Sequence, residues 1–280
     1  MGEIARFIFT EHSLRIPFFK DWSLQYFLGI VSNEPALSLL SNVECPLSEY
    51  EVRVGNPALK PYQAYSNRLT LSFMKNHTYC ALNGYVQYNA TPIFQHISYD
   101  DESRMFVYGS NNEGHYLHVQ TQLYASQKLF SEKLSIAAYG LMNHYENHAA
   151  AYLNKYTAFL YGGSISYNER NWGVAASYQS PVSYLFDEVK TTQNANLQLS
   201  GYYKISNIQI ALAVNNPFRA HAYSLKEELI SELVQSSTMR YANYNNNFVN
   251  ITISYYFNQG RDKTHRRILH NSDTDSGVLK

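Results

Sequence analysis

Apolar and polar residues alternate with a period of two along most of this 280-residue chain. The alternation is clearest in residues 207–215, where Ile208, Ile210, Leu212 and Val214 are separated by polar or small residues. Successive side chains of a β-strand point to opposite faces, so this period predicts strands with one apolar and one polar face. The predicted strands are 22–31, 66–74, 78–90, 116–125, 133–144, 157–167, 171–179, 196–203, 207–215 and 247–257.

The connections between these strands alternate between short and long. The short connections are 75–77, 126–132, 168–170 and 204–206. The long connections are 32–65, 91–115, 145–156, 180–195 and 216–246. Outer-membrane barrels place short turns on one side of the membrane and long loops on the other, whereas a soluble sandwich has no reason to sort its loops. The pattern predicts an all-β fold, an antiparallel up-and-down transmembrane β-barrel of about ten strands.

In such a barrel the apolar face of each strand contacts lipid. The residues predicted to face lipid are Leu69, Leu71, Phe73, Leu197, Leu199, Ile208, Ile210, Leu212, Ile251 and Ile253. Aromatic residues at strand ends are predicted to form interfacial girdles, and they are Tyr26, Phe73, Tyr88, Tyr124, Tyr167, Tyr178, Tyr203 and Phe257.

Two of the long connections contain patterns that differ from a strand. In Ser224–Val234 the residues Leu225, Leu229, Ile230 and Leu233 share one helical face, which predicts a short helix. Residues 35–40 are predicted to form a single helical turn.

The composition is rich in Tyr and poor in charge. The chain has 26 Tyr, 16% charged residues and a formal net charge of zero, whereas a soluble domain carries about 25% charged residues. With no net positive charge, the chain is not expected to bind nucleic acid. No segment approaches the roughly 20 apolar residues of a membrane-spanning helix, but barrel strands need only about 9 to 11 residues.

The N-terminal segment has Glu3 and Glu11 and no apolar core of a secretory signal. Either the true N-terminus lies upstream and this is a fragment, or the membrane interpretation is wrong. The predicted organisation is an N-terminal segment 1–21, the end of a preceding strand or loop, barrel strands 22–258 and a periplasmic tail 259–280. The tail contains a basic cluster of Arg261, Lys263, Arg266 and Arg267, interpreted as solvated.

Residues 54–61 read VGNPALKP, and Gly55, Asn56, Pro57, Leu59 and Pro61 match a G-N-P-x-L-x-P motif. This motif resembles a signature in the barrels of TonB-dependent outer-membrane receptors. Because the prolines fix φ and remove backbone donors, the segment is expected to be a stiff return from a loop into strand 66–74.

Residues 248–263, FVNITISYYFNQGRDK, resemble the last strand and tail of an outer-membrane barrel family common in Bacteroidetes. The two resemblances imply a location in the outer membrane and contact with its lipid. They also imply recognition of Tyr255 and Phe257 as a terminal signal by the barrel-assembly machinery. The family barrel has about 22 strands and an N-terminal plug, so this chain is expected to be partial, lacking the plug and half of the barrel.

No catalytic constellation, metal site or cofactor is predicted. The sequence HYENH places His144, Glu146 and His148 at a strand end with the wrong spacing for a helical zinc motif. His115 and His118 are expected on opposite faces of one strand. Cys45 and Cys80 have no metal-ligand spacing, and a single disulfide between them is left open.

The leading hypothesis is a receptor or transporter barrel for a nutrient, siderophore or glycan, and not an enzyme. The alternative is a soluble all-β carbohydrate-binding or adhesion protein with a tyrosine-rich surface. Tyrosines in the long loops are the candidate ligand contacts, namely Tyr99, Tyr108, Tyr184 and Tyr223.

Overall fold

The computed structural model describes residues 10–218, 223–241 and 247–257. Nearly all regular structure in these residues is β-strand, organised as one large sheet and two small ones. No helix within the described ranges has the length and the apolar character that would let it cross a membrane. The basic cluster 261–267 lies outside the described residues.

The large sheet, called the main sheet below, has eleven antiparallel strands that follow one another in chain order. Its strands are β1 Thr10–Phe19, β2 Trp22–Asn33, β5 Tyr62–Lys75, β6 Thr78–Ala90, β9 His115–Leu129, β10 Leu134–His148, β11 Leu153–Asn168, β12 Trp172–Gln179, β15 Asn196–Ile205, β16 Ile208–Asn215 and β19 Phe248–Tyr255. In the described residues β1 and β19 each pair on one side only, so the sheet is an open barrel wall.

The two small sheets are built from the loops at one end of the main sheet. The first contains β3 Cys45–Pro46, β4 Glu51–Arg53, β7 Ile93–Asp100 and β8 Met105–Asn112, and α1 Leu37–Leu40 precedes it. The second contains β13 Val182–Phe186, β14 Val189–Gln193, β17 Leu225–Ile230 and β18 Gln235–Arg240. Each small sheet joins two different loops, and the loops are therefore folded rather than extended.

All ten strands predicted from the alternation are present, with ends that shift by a few residues. The N-terminal segment 1–21 contributes an eleventh strand, β1, which pairs with β2. The turns at the other end are tight because their residues adopt left-handed backbone angles. In the β5–β6 turn, Asn76 and His77 have φ of 46° and 64°, the conformation that two-residue hairpins favour.

The predicted helix in Ser224–Val234 is wrong, since Leu225–Ile230 is strand β17. Its charges form ion pairs within the second small sheet instead of along a helix. The Nζ of Lys226 lies 2.6 Å from a carboxylate oxygen of Glu228, and Arg240 on β18 lies 3.0 Å from Glu227. Strand pairing on both sides therefore overrides the helical spacing of the leucines. The helical turn predicted at 35–40 is confirmed by α1.

The prediction of a long connection at 145–156 is also wrong. The β10–β11 ladder continues up to the pair His148 and Leu153, which leaves only residues 149–152 between the strands. Polar pairs extend this ladder: the Nζ of Lys155 lies 3.0 Å from a Glu146 carboxylate oxygen. Alternation of apolar residues could not show this extension, because both faces are polar here.

The register separates the apolar side chains of the main sheet from the polar ones. Residues paired directly across an antiparallel sheet share a face, and the pairing places all ten residues predicted to face lipid on one face. We call this the outer face and the opposite one the inner face. The outer face is widely exposed, with Leu69 48% and Ile253 71% accessible. A two-layer soluble sandwich would bury these side chains, so that alternative does not fit the fold.

Aromatic rings cluster near both ends of the outer face. Near the turn end, the ring centroids of Trp22 and Phe73 lie 5.0 Å apart and those of Tyr167 and Trp172 lie 5.5 Å apart. Near the loop end, the ring centroids of Tyr161 and Tyr178 lie 6.1 Å apart. Tyr124, predicted to belong to a girdle, is instead on the inner face, where it pairs with Tyr139 and Ala81. Its ring is therefore part of the polar wall and not of the lipid contact.

Candidate functional site

The inner face of β2, β5, β6 and β9 carries a continuous row of hydrogen-bonding side chains. Gln25, Thr70, Asn83 and Gln122 are direct cross-strand neighbours, one from each strand. The Thr70 hydroxyl donates to Oδ1 of Asn83 at 2.7 Å, and Nδ2 of Asn83 donates to Oε1 of Gln122 at 3.3 Å. We call this set the amide row. It offers several uncharged donors and acceptors on one surface.

A second row lies one step nearer the loop end. It contains Phe27, Arg68, Tyr85 and Gln120, again as direct neighbours. The Arg68 Cζ atom lies 5.5 Å from the centroid of the Tyr85 ring, a cation–π contact. The two rows together line a concavity of 390 Å³, which is within the size range of small-ligand pockets.

A ladder of rings continues from Tyr85 across three further strands. The Tyr85 and His118 rings lie 5.6 Å apart, the His118 and Tyr145 rings stack at 4.5 Å, and Tyr145 and Tyr156 stack at 6.5 Å. The Nε2 atom of His118 lies 3.0 Å from Oδ1 of Asn143. The inner face therefore presents aromatic surfaces and amide groups side by side.

The loops fold onto the inner face at the loop end. Phe94 of β7 and Leu185 of β13 are buried to 0% and 1% exposure against Tyr116 and Tyr145. The Phe186 ring lies 5.3 Å from the Tyr116 ring in an edge-to-face contact. Because Tyr116 and Tyr145 belong to the inner face, this cluster forms a cap over one end of the polar wall.

A buried carboxylate joins the parts of the cap. Asp187 in the β13–β14 turn accepts hydrogen bonds from the Tyr152 hydroxyl and, at 2.8 Å, from the Gln95 backbone N–H. The Asp187 backbone N–H donates to Oδ1 of Asn147 at 2.7 Å. Burial raises the pKa of Asp187, although its hydrogen-bond donors oppose that shift. One side chain thereby connects a β7 residue, the β10–β11 turn and the β13–β14 turn.

The segment Gly55–Pro61, which carries the G-N-P-x-L-x-P motif, connects two loops through hydrogen bonds. The Nδ2 atom of Asn56 donates to Oδ1 of Asn111 at 3.0 Å, and the Lys60 backbone N–H donates to Oδ1 of Asn112 at 2.7 Å. A Cβ at Gly55 would lie 2.1 Å from the Ser41 carbonyl oxygen, so the close approach requires glycine. In this geometry the motif holds the first small sheet against the entry to β5.

The four loop tyrosines do not converge on one site. Tyr99 and Tyr108 are in the first small sheet, whereas Tyr184 and Tyr223 are in or beside the second. Tyr108 is buried, and its hydroxyl donates to a Glu51 carboxylate oxygen at 2.8 Å. Burial and this carboxylate raise the pKa of Tyr108 to about 12, so its hydroxyl is committed to a structural contact.

The face on which each histidine lies follows from the alternation of successive side chains along its strand. His115 is on the outer face and His118 on the inner face, as predicted. His144, Glu146 and His148 all lie on the outer face, above the apolar positions of β10. Within the described residues no cluster of three metal-ligating side chains is found. Cys45 and Cys80 are both free thiols.

Sequence reasoning missed the rows on the inner face. The alternation places Arg68 and Gln122 on the polar side of their strands, but it gives the face and not the neighbour across the strand. The available signal was the type of residue: amide, hydroxyl and tyrosine side chains recur at the polar positions of segments 66–74, 78–90 and 116–125.

Comparison with solved structures shows a similar fold in a receptor and two transporters. A mutant of the ferric enterobactin receptor from Pseudomonas aeruginosa matches 75% of this chain and 34% of its own, with 10% identity and a TM-score of 0.56. The copper transporter OprC matches 88% of this chain and 38% of its own, with 14% identity and a TM-score of 0.61. The FrpB iron transporter from Neisseria meningitidis matches the same shares, with 12% identity and a TM-score of 0.54.

The chain spans 34 to 38% of the length of these solved proteins. No curated protein matches it. The model of a family described as outer membrane protein beta-barrel family matches residues 31–255, from within β2 to the end of β19. The chain therefore belongs to this outer-membrane β-barrel family.

Proposed function

We propose that the chain forms part of an outer-membrane receptor or transporter barrel of the TonB-dependent type, which takes up a nutrient, a siderophore or a glycan. The observation that carries the proposal is the separation of the two faces across eleven strands. An apolar exposed outer face fits lipid, and an inner face of amides, hydroxyls and rings fits a polar ligand. Binding is the proposed role, rather than catalysis.

The direction of the edge strands supports a partial barrel. In an antiparallel sheet of eleven sequential strands, β1 and β19 run in the same direction. Closing the wall with antiparallel pairs alone therefore needs an odd number of additional strands between them. Eleven further strands would give the barrel of about 22 strands found in outer-membrane transporters. Unpaired strand edges in lipid would cost several kcal/mol per group, so we propose that another barrel half and a plug complete the assembly.

The remaining partners follow from the same proposal. Exposed outer-face side chains would contact outer-membrane lipid, and the barrel-assembly machinery would insert the strands. The resemblance of residues 248–263 supports a Gram-negative host from the Bacteroidetes.

Fractionation of cells that express the full chain tests this function. We expect the chain in the outer-membrane fraction, resistant to extraction by carbonate, with a mobility in SDS gels that changes on boiling. Recovery in the aqueous fraction without detergent would contradict the proposal. Co-purification with further barrel strands would support the partial-barrel arrangement, and isolation as a closed monomer would contradict that part.

A further inference from the structure

The inner face carries a charge imbalance that the whole chain lacks. On strands β2 to β19 of the main sheet, no Asp or Glu occupies an inner-face position. The basic residues at such positions are Arg68, Lys128 and Lys204, and the neighbouring β1 adds one basic position, Arg15, and one acidic position, Glu11. Acidic and basic residues are equal in number over the full sequence, so most of the carboxylates lie outside the inner face, and basic positions outnumber acidic ones there.

These four cations differ in what they contact. Lys128 is paired with Glu132 at 3.1 Å, and the Nζ of Lys204 lies 5.5 Å from the Tyr256 ring centroid. Arg68 takes part in none of the ion pairs between described residues. Its guanidinium faces the Tyr85 ring and lines the 390 Å³ concavity. The charge of Arg68 is therefore available to a ligand in that concavity.

A second cation borders the same surface. Arg15 lines an adjacent concavity of 560 Å³, and Gln25 and Thr70 line both concavities. Arg15, Gln25 and Thr70 are successive cross-strand neighbours. A ligand that spans the amide row would thus meet Arg15 at the β1 end of the row and Arg68 on its loop side.

We infer that the surface formed by the amide row and by the neighbouring row of Phe27, Arg68, Tyr85 and Gln120 binds a sugar acid. A sugar acid is a hydroxylated ring that carries a carboxylate, and Arg68 would bind that carboxylate. This inference rests on the proposed function, because it assumes that the inner face lines a ligand-accessible lumen. A guanidinium binds carboxylate oxygens through two parallel N–H donors. The adjacent Tyr85 and Phe27 offer faces for stacking a ring.

The residues around Arg68 argue against two other ligands. A small inorganic anion would use the charge but would leave the amide side chains of Gln25, Asn83, Gln120 and Gln122 without a role. A neutral sugar would use the amides and rings but would leave the guanidinium unpaired. A ring with both hydroxyls and a carboxylate uses every group that lines the concavity.

Isothermal titration of the full chain, purified from outer membranes in detergent, tests the inference. The probes are trigalacturonate and its neutral methyl ester. We expect the wild type to bind the acid at least about tenfold more tightly than the ester, as one charge-assisted hydrogen-bond pair provides. The affinity for the acid should fall as NaCl is raised.

Arg68→Gln should remove that preference and leave the weak binding of the ester unchanged. Lys128→Gln removes an inner-face cation that already has a partner, so the preference should survive in this control. Both variants should keep the wild-type mobility shift in SDS gels, which shows that they fold.

Equal affinity for acid and ester, unchanged preference in Arg68→Gln, or no binding of the acid by the wild type would each overturn the inference. The fractionation experiment is independent of these readouts. A chain found in the outer membrane that fails the titration loses the sugar-acid assignment alone, whereas a chain found in the aqueous fraction loses the proposed function.

Discussion

Asp187 connects the cap to the wall, and its protonation state should control how firmly the loops are held. Burial raises its pKa in the folded protein above the unfolded value. A carboxyl group with a raised folded pKa stabilises the fold fully below its unfolded pKa, and this stabilisation is lost as pH rises through the folded pKa. We expect hydrogen exchange of residues 93–97 and 182–193 to quicken over that rise in pH.

The substitution Asp187→Asn removes the titrating group and keeps an oxygen acceptor. Exchange of the same loop segments should then depend much less on pH, apart from the intrinsic rate. Asp100→Asn is the control, because Asp100 is exposed and the Ser103 hydroxyl lowers its pKa. A pH response that persists in Asp187→Asn would assign the effect to another group. The nearest such group is Glu188, because burial raises the pKa of its carboxyl group as well.

At the residue scale, backbone parity decides the environment of a side chain more strongly than its chemistry does. Tyr26 and Tyr124 are both strand-end tyrosines, yet Tyr26 is on the outer face and Tyr124 on the inner one. Tyrosine tolerates both because its ring suits lipid interfaces and its hydroxyl suits a wet wall. A girdle could therefore be predicted from position only after the parity of each strand was applied.

At the scale of a single strand, β16 offers adjacent residues on opposite faces. Ile210 is on the outer face beside Tyr203 and Ile253, and Gln209 is on the inner face. We expect Ile210→Arg to destabilise the refolded chain because the Arg faces lipid, with a cost that rises with depth towards roughly 2 to 4 kcal/mol at the midplane. Gln209→Arg should cost much less, because its side chain enters the polar lumen.

Urea titration of the chain in lipid vesicles measures both variants under one condition. Equal losses of stability would mean that the faces of β16 are assigned wrongly.

The apolar outer positions of β10, from Leu134 to Met142, indicate the height of the band of the outer face that contacts lipid. Eight steps of about 3.3 Å, tilted by about 40°, give a height of about 20 Å, near the expected thickness.

The elements that sequence reasoning found are those whose two faces differ in polarity. The strands of the main sheet other than β1 meet this condition, and their existence was predictable. Small-sheet strands such as Glu51–Arg53 and Val189–Gln193 are short and pair with residues distant in sequence. Their formation depends on pairing partners, which a periodicity cannot show. The spacing of leucines in Leu225–Ile230 fits a helix equally well, and only the pairing with β14 and β18 decides the matter.

The candidate site lies beyond sequence prediction for a related reason. Arg15, Arg68 and Gln122 are distant along the chain, and their proximity depends on a register fixed across five strands. A shift by one residue in any pair would move a whole strand's polar set to the lipid face. The register therefore decides which polar side chains lie next to one another on the inner face.

At the scale of the whole molecule, the two ends of the sheet differ in a way that protease can report. We propose that the loop end is extracellular. Asp187 and Glu227 are poor cleavage points, since Asp187 is buried and Glu227 lies in a paired strand. Arg104 in the β7–β8 turn and Arg170 in the β11–β12 turn are both exposed, at opposite ends.

Trypsin added to intact cells should cut after Arg104 and spare Arg170. Opening the outer membrane should make both sites available. Arg104→Gln, which removes the first site, is the matched control for the identity of the fragment. Cleavage after Arg170 in intact cells, with Arg104 protected, would reverse the orientation.

The end of the last described strand and the residues directly after it carry two exposed rings at the turn end of the molecule. Tyr255 is 54% exposed and Phe257 80%, and their ring centroids lie 4.5 Å apart. The resemblance of this segment to terminal strands of outer-membrane barrels implies that the assembly machinery recognises these rings. The other hypothesis is that both belong only to the girdle, where each ring contributes interfacial contact and nothing more.

The two roles differ in where a truncation acts. If recognition matters, Phe257→Ala should reduce insertion in cells far more than it lowers the stability of barrel refolded in detergent. Phe73→Ala is the matched control, because Phe73 is an outer-face ring at the same end and contacts Trp22. Phe73→Ala should lower insertion and stability in proportion. The loss of stability should include about 0.5 to 1.5 kcal/mol for the lost aromatic contact, in addition to the effect of the lost buried area. Proportional losses in Phe257→Ala as well would leave Phe257 as a girdle residue and rule out its role as an assembly signal.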